Sequence, residues 1–134
     1  MTAGNPNEFA DRYVAVWNET DPLARRKGVE ELWAPDGSYF NAIAESRGHE
    51  AIAAQVGYAH DAYAEGGITF RSCNNANGQH NTLRFNWVMV SAATGALEAV
   101  GFDFVILDDE GRIVADHQYF DRPPTYTVPP PAEA

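Results

Sequence analysis

The chain has one cysteine, Cys73, in 134 residues, so it has no internal disulfide framework and suits a reducing compartment. The cytoplasm is the expected location. Positive charge is scarce: 9 Lys and Arg stand against 19 Asp and Glu, for a net charge of −10. A phosphate backbone is repelled by such a surface, which argues against nucleic acid as a partner. No apolar run approaches the roughly 20 residues a membrane helix needs, so no membrane partner is expected. The opening residues MTAGNPNEF lack the basic and apolar regions of a secretory signal. The histidines, His49, His60, His80 and His117, show no metal-ligand spacing, and neither metal nor cofactor is expected.

The length suits one domain, expected over residues 1–122 and followed by a Pro-rich tail at 123–134 that reads as extended or disordered. Asn5-Pro6-Asn7-Glu8 signals a helix start, and Phe9, Tyr13, Val16 and Trp17 then recur on one helical face. Asp21-Pro22 opens a second helix with Leu23, Val29, Leu32 and Trp33 as its buried residues, stopped by Pro35-Asp36-Gly37. A short strand is expected at 38–41. A third helix over 49–64 ends at Gly66-Gly67. The rest reads as strand: 68–74, 82–91, and a long hairpin from Gly101 to Asp121 around the turn Asp108-Asp109-Glu110-Gly111. Segregated helices and sequential strands predict an α+β fold with the helices on one face of an antiparallel sheet.

Alternation gives each strand two faces. Phe85, Trp87 and Met89 form a greasy face, expected to join Phe102, Phe104 and Ile106; Arg84 and Asn86 form a mixed face, expected to join Asp103. Helices enclosing the mixed face leave the greasy one bare unless a second copy covers it, which predicts a homodimer.

Several stretches carry a family resemblance: Trp17-Asn18-Glu19 with Asp21-Pro22 and Arg25, Leu32-Trp33-Ala34 with Asp36-Gly37 and Tyr39, Arg47-Gly48 with Glu50-Ala51-Ile52, and Tyr119-Phe120-Asp121. In these the chain resembles the nuclear-transport-factor-2-like (NTF2-like, cystatin-like) superfamily, specifically its SnoaL-like branch. The resemblance implies a cone, an α+β barrel-like curved sheet wrapped around three N-terminal helices, with a pocket at its open end and dimerisation through the outer sheet face. It implies no single activity, because the fold hosts cyclases, isomerases, epoxide hydrolases, dehydratases and non-catalytic proteins.

Against limonene-type epoxide hydrolases, Tyr39-Phe40-Asn41 matches the first catalytic segment. In that comparison Asn86 and Gln118 replace two acids, and an amide cannot accept a proton from water, which counts against epoxide opening. Against ketosteroid isomerases, Asn41 replaces the general base, while Asp103 falls near the buried second acid.

The reading places Asp103 and Arg84 as the catalytic pair and Tyr39, Asn41, Asn86, Gln118 and Trp17 as ligand contacts. The expected partner is a small apolar oxygenated molecule, handled without a cofactor by an isomerase, cyclase or dehydratase. Two plainer readings stay open. Asp103 and Arg84 can form a structural ion pair, and the pocket polars of a non-catalytic binding or dimerisation module can satisfy one another.

Overall fold

The computed structural model describes residues 5–123, so the Pro-rich segment from 124 onward lies outside the described residues. Helix α1 (Pro6–Asn18) starts as its sequence predicts, with Asn5 Oδ1 accepting from the Asn7 N–H at 2.9 Å. Phe9, Tyr13, Val16 and Trp17 are all buried. Helix α2 (Pro22–Leu32) is capped by the Asp21 carboxylate, which accepts from the Leu23 and Ala24 N–H groups. Leu23 itself, in the first turn, is 81% exposed and not part of the core.

Strand β1 (Trp33–Phe40) begins directly after α2, earlier than expected. Pro35-Asp36-Gly37 does not stop the helix; it forms the irregular middle of this strand, where the register against its neighbour shifts. Gly37 is required there, since an added Cβ would lie 2.6 Å from the Ile113 carbonyl oxygen. A short β2 (Glu45–Arg47) precedes α3 (Gly48–Glu65). Then come β3 (Ile68–Ser72), a short β4 (Asn77–Gln79), β5 (Thr82–Ser91), β6 (Leu97–Leu107) and β7 (Ile113–Arg122).

The strands form one sheet in the order β2-β1-β7-β6-β5-β3, with β4 also on β5. It is mixed rather than wholly antiparallel, because β1 runs parallel to β7. It is also open, with β2 and β3 at its edges, so it is not a closed barrel. The helices pack on its concave side over a core of Tyr13, Trp33, Phe85, Ile52 and Met89.

The pairing of faces across β5 and β6 differs from the expectation. Phe85 sits opposite Asp103, Arg84 opposite Phe104, and Asn86 opposite Phe102. The cause is a one-residue bulge: Val90 pairs with Leu97 but Met89 pairs with Ala99, leaving Glu98 unpaired. A one-residue slip exchanges the two faces of everything beyond it. Phe85, Trp87 and Met89 therefore point into the core beside Asp103, whereas Arg84 and Asn86 share the outer face with Phe102, Phe104 and Ile106. The continuous six-residue apolar patch expected on the outside does not form.

Candidate functional site

Asp103, on β6, is 0% exposed and faces the helices. Its Oδ1 accepts from the Trp87 indole N–H at 2.6 Å. Gly101 makes this possible, because a Cβ at that position would lie 2.3 Å from the Trp87 ring. Asp116, on β7 and also 0% exposed, lies diagonally across from Asp103 on the same face. From α1, the Tyr13 hydroxyl oxygen sits 2.8 Å from Asp103 Oδ2 and 2.6 Å from Asp116 Oδ2.

This geometry fixes a proton count. A tyrosine hydroxyl has one hydrogen, so it donates to only one of the two carboxyls, and the other must bring a hydrogen of its own. Asp103 already receives the Trp87 N–H, which suits a carboxylate. Among the described residues Asp116 has no N–H donor and its buried Oδ1 has no hydrogen-bond partner, which suits a neutral acid. Burial, then the charge of Asp103, pushes the Asp116 carboxyl well above the usual carboxylate range. Burial also raises Asp103, while hydrogen bonds from Asp116, Tyr13 and Trp87 pull it back. The Tyr13 hydroxyl is held well above its ordinary value by burial first and by the two acids next. Two hydrogens, one from Asp116 and one from Tyr13, thus join the chain from Asp116 through Tyr13 to Asp103.

A cavity of about 640 Å³ opens against this cluster, lined in part by Tyr13, Tyr39, Trp87 and Gln118. Gln118 is opposite Asp103 in the ladder and Tyr39 is opposite Asp116. Asp103 and Asp116 do not line the cavity themselves; they lie behind its wall. The Tyr39 hydroxyl accepts from Asn41 Nδ2 at 3.1 Å, and its own hydrogen has no acceptor among the described residues. Asn41 Oδ1 is taken by the Ile43 and Ala44 N–H groups of the rim loop. Aromatic rings make up much of the remaining wall, including Trp17, Phe70 and Tyr63.

Of the residues singled out from sequence, Tyr39, Asn41, Gln118 and Trp17 meet around one cavity, with Asp103 behind it. Arg84 and Asn86 do not. The Arg84 guanidinium lies over the Phe102 ring at 5.5 Å and donates to Asn86 Oδ1 at 3.1 Å, on the other side of the sheet from Asp103. The expected Asp103–Arg84 pair, catalytic or structural, therefore does not form.

Asn86 cannot stand for a lost catalytic acid, since it too faces outward and donates to Asp121 Oδ2 and the Gly101 carbonyl. Two carboxyls do sit behind one cavity, but they are Asp103 and Asp116, and a tyrosine rather than an arginine bridges them. Tyr13 read from sequence as core, and Asp116 was not singled out. The available signal was that Asp116 stands two places before Gln118 and so shares its face. No group of three or more His, Cys, Asp or Glu among the described residues is placed to hold a metal ion. No helix among them is long and apolar enough to cross a membrane.

Residues 10–115 match the family model of the SnoaL-like domain. The fold is similar to that of a protein described as a putative isomerase of the SnoaL-like family from Agrobacterium tumefaciens, with 32% identity and a TM-score of 0.79. That alignment covers 87% of this chain and 97% of the other. A putative polyketide cyclase from Sinorhizobium meliloti is 15% identical at a TM-score of 0.62, covering 84% and 94% of the two chains. An NTF2-like protein of unknown function from Exiguobacterium is 21% identical at 0.64, covering 84% and 98%. At those identities the last two likenesses bear on the fold alone. No curated protein matches.

Proposed function

We propose that this chain, which belongs to the SnoaL-like family, binds an apolar oxygenated small molecule and moves protons on it without a cofactor, as an isomerase, cyclase or dehydratase. The observation that carries the reading is the single hydroxyl, Tyr13, set between two buried carboxyls behind the cavity wall. A carboxylate and a neutral acid joined by one hydrogen-bond chain, with surroundings that hold the proton more firmly on Asp116 than on Asp103, are a base and an acid in one cluster, which suits proton transfer. Tyr13, which lines the cavity, is the contact with the substrate: its oxygen takes up the substrate's proton as its own hydrogen passes to Asp103, and it gives a proton back to another substrate atom as Asp116 supplies one to it, so the cluster ends with the number of protons it began with. Tyr39 and Gln118 present hydrogen-bonding groups to a substrate oxygen, while Trp17 and the other rings hold its apolar body. The 32% likeness to a protein described as an isomerase supports this class of chemistry.

The complete burial of both acids favours a second reading, a binding protein whose acids only brace the fold. Exchange of α-hydrogens on cyclic ketones in deuterated water, followed by NMR, separates the two. The catalytic reading expects exchange that Asp103→Asn and Tyr13→Phe each abolish in folded protein. Exchange that persists in Asp103→Asn overturns it, and no exchange across a broad panel of neutral ketones leaves the binding protein.

A further inference from the structure

We infer that the cavity selects its ligand by charge, taking an uncharged molecule with an aromatic or alicyclic body and turning away the anion of the same skeleton. The inference rests on the reading of the cavity as a ligand site and extends it to the class of ligand.

Among the described residues, no Arg or Lys lines the cavity. Of the described lining residues, the one histidine is His117, stacked on Phe40 with ring centroids 4.9 Å apart and on the opposite face of β7 from Gln118. Arg25, a buried cation, packs against Gly57 between α2 and α3 and does not line the cavity. The ion pairs found among the described residues, Arg26–Glu30, Arg47–Glu45 and Arg112–Glu110, all lie on the surface.

The Asp103 carboxylate, by contrast, lies just behind Tyr13, Tyr39 and Gln118 with no cation beside it among the described residues. Its charge reaches the wall: burial first, then Asp103 and Asp116, hold the Tyr39 hydroxyl in its neutral form. An entering carboxylate, phosphate or sulfate would shed water into an aromatic cavity, meet no counter-ion and face a fixed negative charge. A substrate built on a carboxylic acid must therefore arrive masked as an ester, amide or lactone. The reaction that supplies it must end in an uncharged product rather than a phosphate or a coenzyme A thioester.

Two dyes of nearly the same shape test this: N-phenyl-naphthylamine, which is uncharged, and anilinonaphthalene sulfonate, its anionic counterpart. Each is titrated into the full-length protein, and binding is read by dye fluorescence. The uncharged dye is expected to bind at least roughly tenfold more tightly, a margin set by desolvation and repulsion of the sulfonate. Gln118→Lys, which sets a cation opposite Asp103, is expected to raise sulfonate affinity and narrow the gap. Ala59→Trp fills the cavity from α3 and identifies the signal that comes from inside it; Gln55→Trp serves if that variant does not fold. Sulfonate binding as tight as that of the uncharged dye, and lost on filling, overturns charge selection while leaving the ligand site in place. Failure of both dyes to enter overturns the ligand-site reading together with the inference. Failure of α-hydrogen exchange with the dye pattern intact removes only the catalytic reading.

Discussion

The two faces of the sheet treat polar groups in opposite ways. On the outer face Asn86 is the centre of a local network: it bonds Asn75 in both directions, the Gly101 carbonyl, Asp121 and Arg84. Two of those partners, Asn75 and Asp121, are exposed, and water stands ready to replace them. On the inner face Asp103 and Asp116 are wholly shielded from bulk solvent and, among the described residues, have few partners: one indole, one hydroxyl and each other. A polar group with many replaceable partners contributes little that is unique, whereas a buried acid with two partners depends on each. The contrast is the ground for placing the proposed chemistry on the inner face and the proposed dimer contact on the outer one.

The largest break in this contrast is expected from Tyr13→Phe, which keeps the ring and removes the shared hydroxyl. Both acids lose a partner in a dry site, and the loss of stability is expected at about 2–4 kcal/mol by urea unfolding. A loss below about 0.5 kcal/mol, the range of an ordinary surface change, would mean that the acids do not rely on Tyr13. Gly101→Ala comes next. Its methyl collides with the Trp87 ring and displaces the N–H from Asp103, at an expected cost of about 1–3 kcal/mol. Trp emission that stays unchanged in this variant would argue against the contact.

Asp116→Asn tests the proton directly through pH. Asp116 has an ordinary carboxyl value near 3.8 in the unfolded chain and a raised one in the fold. Below the unfolded value both states hold the proton, and the contribution of this buried acid is fully present. As pH rises from there toward the raised value, the unfolded chain releases the proton while the fold keeps it, so wild-type stability falls. Asp116→Asn has no such proton. Its stability relative to wild type should climb across that window, and a flat difference in urea midpoints over pH would show that Asp116 is not held neutral. The smallest effect is expected on the outer face, where Arg84→Met should stay within about 0.5 kcal/mol, as surface changes usually do. A loss comparable to that of Tyr13→Phe would erase the distinction between the faces.

Much of the fold could be read along the chain. The helix starts rest on local signals, Asn5-Pro6 and Asp21-Pro22, and alternation within β5 was read correctly. The placement of Asp103 and Gln118 on one face was also legible and agrees with their pairing in the ladder. What alternation does not give is the phase of one strand against the next. The bulge at Glu98 sets that phase between β5 and β6, and a second irregularity between Ile106 and Leu107 sets it between β6 and β7. Neither has a glycine or proline to announce it. Hence Arg84 was assigned to the wrong side, while Tyr13, on a helix 90 positions from Asp103, looked like one more core aromatic. Homodimerisation through the outer sheet face stays a proposal, now without Phe85, Trp87 and Met89, which point inward. Phe104, 38% exposed, and the stacked pair Phe102–Tyr119 supply the apolar part of the outer face.

The parallel seam between β1 and β7 has a consequence for how the chain folds. Trp33 must find Ile113, and Tyr13 must find an acid 103 positions away, before either sheet or cavity is complete. Closing loops of that length precedes the contacts that reward it, so the search is slow compared with forming the helices or the β5–β6 hairpin. A nascent chain halted before Asp116 would hold β1 and β6 as two unpaired edges facing a gap, the kind of edge that recruits a wrong partner. It would also hold Tyr13 with no second acid to bridge. Joining the seam and assembling the proton-sharing cluster are therefore one folding event, and β7 is the strand that completes both.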